Sequence, residues 1–117
     1  MKIVDRQTFL QMPAGTIYAK VSMGAYDFEA VEIKSNTVSG VDWYSQRLVG
    51  DFVGDKDSND WLDSVEAMHN SEERAVDLDI ECRDGLFDRD QLFAVFDKTD
   101  AEALLARIAA ALQEGYP

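Results

Sequence analysis

Asp55 to Glu66 reads DKDSNDWLDSVE, a spacing of oxygen-bearing side chains that first suggests calcium chemistry. Asp55, Asp57 and Asn59 fall at positions 1, 3 and 5 of a twelve-residue loop, Leu62 at position 8 and Glu66 at position 12. An EF-hand wraps such a loop round the ion to supply about six to eight oxygens, and the wrap needs Gly at position 6. Here position 6 is Asp60, and the preceding GDFVG has two glycines and a β-like Phe-Val pair where an entering helix belongs. A helix start accounts for the same letters. Asp57, Ser58 or Asn59 caps it, and Asp60 and Asp63 lie in its first turns, where the dipole favours anions. Trp61, Leu62, Val65 and Met68 then form the core-facing stripe. The expectation is a capped helix that holds no metal.

Other reactive groups are isolated. His69 is the single histidine, near the end of that helix and without a second His or Cys at ligand spacing. Cys82 is the single cysteine and alternates onto an apolar face, as a small core residue does. No G-x-S-x-G elbow, G-x-x-x-x-G-K-[ST] loop or G-x-G-x-x-G fingerprint occurs. Carboxylates are abundant, but nothing nearby signals a raised pKa. No enzymatic activity and no cofactor are expected. One aromatic and basic set remains: Trp43, Tyr44 and Arg47, with Tyr18, Tyr26 and Phe28, and with Lys20 and Lys34 as further cations. These side chains can stack on and neutralise a nucleotide, or serve as core and cross-strand pairs.

The charge is unevenly distributed. The 117 residues carry 23 acids and 11 bases, a net charge of −12. Residues 1–50 balance at five acids and five bases, whereas residues 51–102 hold 17 acids against five bases and so carry the whole net charge. Such a field repels nucleic acid and anionic membrane and attracts basic surfaces. With 46% apolar residues, the chain is expected to form one acidic domain over residues 1–117. It lacks both the run of about 20 apolar residues that a membrane span needs and a signal-peptide apolar region. A cytoplasmic location is the expectation.

The elements that must position these groups follow from local patterns. Asp5 caps a short helix through Gln11, stopped by Pro13. Strands are expected over Thr16–Ser22 after Gly15, over Asp27–Lys34 after a Gly24-Ala25 turn, and over Val41–Phe52, with a short edge strand between Ser35-Asn36 and Ser39-Gly40. Bulging is expected in the second strand. Val76 to Cys82 alternates most cleanly, with Val76, Leu78, Ile80 and Cys82 on one face and Asp77, Asp79 and Glu81 on the other. Gln91–Asp97 returns after a turn at Arg83-Asp84-Gly85. Thr99 and Glu102 make a capping-box pattern for a final helix, with Ala101, Leu104, Leu105, Ile108 and Leu112 on one stripe and Gly115 at its end. The expected fold is α+β: an antiparallel sheet of four to six strands, a short N-terminal helix, a mid-chain helix and a C-terminal helix packed on the sheet.

IVDRQTFLQMPAGTIYAK at the start and RDGLFDRDQLFAVFDKTDAEALL near the end resemble small acidic accessory proteins of tailed bacteriophages and prophages, over roughly half the chain. The resemblance implies an accessory product acting in the bacterial cytoplasm, such as an antagonist of host defence. Anti-CRISPR proteins among these present acidic, DNA-mimicking surfaces, and other inhibitors sequester nucleotide signals. On a strand, Asp77, Asp79 and Glu81 would stand about 6.6–7 Å apart along one face, close to the spacing of successive phosphates, with Asp84, Asp88 and Asp90 extending the row. The main expectation is therefore a non-enzymatic inhibitor whose acidic surface binds a basic protein, such as a nucleic-acid-binding defence complex. The alternatives are a nucleotide sponge using Trp43, Tyr44, Arg47, Lys20 and Lys34, and a virion assembly accessory protein.

Overall fold

The computed structural model describes residues 1–22, 24 and 27–117; the Gly24-Ala25 turn and Tyr26 lie in whole or in part outside them. Nine elements follow in order: β1 (Lys2–Val4), α1 (Arg6–Leu10), β2 (Ile17–Ser22), β3 (Asp27–Val38), β4 (Asp42–Arg47), α2 (Ser58–His69), β5 (Glu81–Arg83), β6 (Phe93–Val95) and α3 (Lys98–Gly115). The six strands form one sheet in the order β1-β6-β2-β3-β4-β5, with every neighbouring pair antiparallel. The α+β class is as expected.

The core is small and aromatic. Asp5 caps α1 by accepting from the Thr8 N–H at 2.8 Å, and this short helix drives Phe9 onto the sheet. Phe9 stacks on Phe93 with centroids 4.0 Å apart and meets Trp43 edge-on at 5.2 Å. Tyr18 and Val95 complete the cluster. Burying each large side chain contributes about 1.5–3 kcal/mol. The expected bulging appears as register shifts between Ala19 and Val21 in the β2–β3 pair and between Lys34 and Thr37 in the β3–β4 pair. One long β3 absorbs the separate edge strand expected near Ser35, and left-handed backbone at Ser39 and Gly40 turns it into β4.

Four local expectations need correction. Val76–Cys82 is not one strand: Val76 makes a lone bridge to Phe52, and β5 begins only at Glu81. Partner strand β4 ends at Arg47, which leaves residues 77–80 without a ladder, and the Asp77 carboxylate captures the Asp79 N–H at 2.9 Å. On α2 the buried positions are Ser64 and Ala67, while Trp61 and Leu62 are exposed. The cap of α3 is Asp97 in a reciprocal box with Asp100, two residues before the expected Thr99. Lastly, α3 does not bury its stripe. Leu105, Ile108 and Leu112 are 69%, 55% and 61% exposed, and only Ala101, Leu104 and Ala110 are half-buried. The helix is held at its first turn, where the Met1 ammonium lies 2.6 Å from Asp100.

Candidate functional site: an acidic surface beside an edge strand

Asp57 caps α2, accepting from the Asp60 N–H at 2.9 Å, and Asp60 in turn accepts from the Lys56 N–H at 2.8 Å. Ser64 donates to Asp55 at 2.9 Å. The calcium-like letters therefore form a helix start, and Phe52–Val53 before it lies in a bridge and a turn. Among the described residues, no group of three or more His, Cys, Asp or Glu side chains is arranged to hold a metal ion, and no helix is long and apolar enough to cross a membrane.

The two sets of site residues named from sequence meet different fates. In the acidic set, Asp79, Glu81, Asp88 and Asp90 are exposed around edge strand β5 and the segment after it. Glu81 accepts from Ser35 Oγ at 2.6 Å, and Asp88 accepts from the Asp90 N–H at 3.0 Å. Asp77 is half-buried and occupied with its own turn, so no regular row of three carboxylates exists. Asp84 leaves the set altogether. Its side chain is 5% exposed and lies 2.6 Å from Lys20 Nζ, with Arg6 at 3.9 Å.

The aromatic and basic set is largely internal. Trp43 is fully buried and donates from Nε1 to the Tyr18 hydroxyl at 3.0 Å, which donates to Glu32 at 3.2 Å. Arg6 and Lys20 lie over its ring at 5.0 and 5.6 Å, so the cations expected beside a stacked base serve the core instead. Lys34 is buried, with Nζ donating to Ser35 O and Thr37 Oγ1, and burial pulls its pKa down. Tyr44 is half-buried. Arg47 is held by both oxygens of buried Asp51, at 2.6 and 3.0 Å. These placements agree with the core reading of Trp43 and Tyr18 and leave the alternative, a stacking platform at Trp43 flanked by Lys20 and Lys34, without its side chains at the surface. Tyr26 lies outside the described residues.

Burial also shapes the charges beneath the surface. It pushes Glu32 above the ordinary carboxylate range, despite hydrogen bonds from Tyr18 and Ser45 and the nearby charges of Lys20 and Arg47. Burial and the Glu32 carboxylate raise the Tyr18 hydroxyl. For fully buried Asp42, desolvation pushes the same way, but Arg83 at 2.6 Å and the backbone N–H groups of Trp43 and Gly85 hold it below its usual value. Burial raises Cys82.

Arg47 also opens onto a cleft of about 510 Å³ between the start of α2 and β5. Asp51, Asp55, Asp57 and Glu81 line it with Trp61, whose Nε1 donates to Gly50 O at 2.6 Å. Sequence reasoning missed this cleft because it assigned Trp61 to the core. The one available signal was Trp61 lying within the acid-rich segment rather than apart from it. Comparison with protein-family models, curated proteins and solved structures finds no match.

Proposed function

We propose that this protein is a non-enzymatic binding protein whose acidic surface engages a basic protein partner, in the manner of a phage-type inhibitor of a nucleic-acid-binding host defence complex. The observation that carries this reading is where the charge lies. Of the 17 acids in residues 51–102, eleven are exposed: Asp57, Asp63, Glu66, Glu72, Glu73, Asp79, Glu81, Asp88, Asp90, Asp97 and Glu102. Meanwhile Arg6, Lys20 and Lys34 of the balanced half are largely buried, so they add no exposed cations to that surface. A negative surface of this kind speeds encounter with a positive one and fixes its orientation more than it adds affinity. Exposed Val76, Leu78, Leu86 and Phe87 interleave with the acids and offer apolar area to a docked protein. The cleft, lined by carboxylates with Arg47, Lys56 and Trp61, offers both charged and aromatic contacts to a side chain inserted from a partner.

The sponge reading draws less support, since an anionic nucleotide must enter against a net charge of −12 and the named aromatic and cationic side chains are largely engaged elsewhere. Affinity capture from bacterial lysate at low and high salt separates the readings. Mass spectrometry should find a basic protein released by salt; a nucleotide released by heat would favour the sponge.

A further inference from the structure

We propose that Leu86 and Phe87, in the loop over residues 84–92, are the apolar anchor of the acidic surface. They insert into an apolar pocket of the basic partner, while Asp88 and Asp90 meet cations at the rim of that pocket. The inference rests on the proposed function and adds which side chains hold the complex together.

The loop joins β5 to β6 without a ladder of its own, yet both its ends are braced. On the way in, the Asp84 N–H donates to Trp43 O at 3.0 Å, buried Asp42 accepts from the Gly85 N–H at 3.2 Å, and the Asp84 carboxylate takes Lys20 at 2.6 Å. On the way out, Gln91 Nε2 donates to Val21 O at 2.9 Å and the Val21 N–H to Leu92 O at 3.0 Å. Buried Arg6 ties the two sides together, with Nη1 donating to Asp88 O at 3.3 Å and lying 3.9 Å from Asp84. Between these ties Leu86 is 72% and Phe87 51% exposed. The Phe87 backbone is left-handed, at φ 55°, where a bulky residue is strained and Gly or Asn fits more readily. A loop fixed to this degree loses little freedom on binding. A few large side chains held in this way carry most of the energy of a protein interface.

Charge selects the occupant. Asp88 and Asp90 directly follow the apolar pair and are exposed, with Arg89 the one cation between them. Two copies meeting at this loop would bring their carboxylates together, and an anionic membrane repels a chain at −12. An apolar pocket rimmed by Lys or Arg meets neither obstacle.

The probe is the heparin-binding protein fraction of a bacterial lysate, passed over the immobilised full chain and then washed at physiological salt. Leu86→Ser and Phe87→Asn should each speed release of the retained basic protein by about tenfold. Both should keep the parent's dependence on salt, because no charge has changed. Leu86 is exposed, and Asn suits the left-handed backbone at 87, so both variants are expected to fold. Leu112→Ser, at a leucine of α3 that is 61% exposed, should release the protein at the parent's rate. Release at the parent's rate from either loop variant would overturn the anchor and leave the acidic-surface reading standing, as would equally fast release from Leu112→Ser. A parent that retains no basic protein would overturn both.

Discussion

Lys20 Nζ lies 2.6 Å from Asp84 Oδ1, and the two side chains are 15% and 5% exposed. This one contact removes a cation from the nucleotide-binding set and a carboxylate from the acidic row, because each neutralises the other inside the fold. Breaking such a pair from one side leaves an uncompensated charge, at a cost of about 3–5 kcal/mol. Lys20→Met and Asp84→Leu are each expected to destabilise by that order in urea unfolding. The double variant should recover much of the loss, since an apolar pair of similar volume can be near neutral. Additive losses in the double-mutant cycle would contradict the pairing.

Trp43 is expected to behave as core. Trp43→Ala should cost about 3–5 kcal/mol, from the lost contacts with Phe9 and Phe93 and from the lost Nε1 hydrogen bond to the Tyr18 hydroxyl. Thermal unfolding measures this. A variant as stable as the parent would return Trp43 to the surface and to ligand binding.

Two carboxylates give opposite pH dependences. Glu32 is held above its ordinary value of 4.5, so the folded chain binds that proton more tightly, and stability falls as pH rises from 4.5 through the raised value. Asp42 is held below 3.8, so its contribution is present above 3.8 and is lost as pH falls through the lowered value. Glu32→Gln should therefore flatten the decline above 4.5 and raise stability at neutral pH. Asp42→Asn should flatten the acid limb below 3.8. Denaturant midpoints across pH check both signs, and unchanged profiles in the variants would refute the burial argument.

Asp57 acts as a helix cap, so Asp57→Ala should cost about 1 kcal/mol of stability. Calcium should leave the unfolding temperature of the parent unchanged. A stoichiometric calcium titration in calorimetry that disappears in Asp55→Ala would contradict this account.

Strong local chemistry was legible from the sequence. Asp5, the cap expected at Asp57, Ser58 or Asn59, and the alternation of Thr16–Ser22 specify their elements within a few neighbours, and the structure has those elements at nearly the expected bounds. Tertiary supply decided the rest. The alternation at Val76–Cys82 is as clean as any in the chain, yet a strand needs a neighbour, and β4 ends at Arg47. The stripe of α3 reads as core, but an apolar helical face says only that it will be covered, not by what, and Leu105 stays 69% exposed in the single chain. Pairing between distant residues was likewise illegible. Nothing local to Asp84 says that Lys20, 64 positions earlier, will neutralise it.

On the proposed reading, the exposed carboxylates around β5 bind a basic protein. Asp79 and Asp90 are exposed, so the double variant Asp79→Lys and Asp90→Lys should reverse charge at little cost to stability. Parent and variant, immobilised in parallel, are to be exposed to the heparin-binding protein fraction of a bacterial lysate at physiological salt, with and without competing duplex DNA. The parent is expected to retain a basic nucleic-acid-binding protein which raised salt or DNA releases, and the folded variant to retain none. Equal retention by the variant, with unchanged sensitivity to salt and DNA, or no retention by the parent, would contradict it.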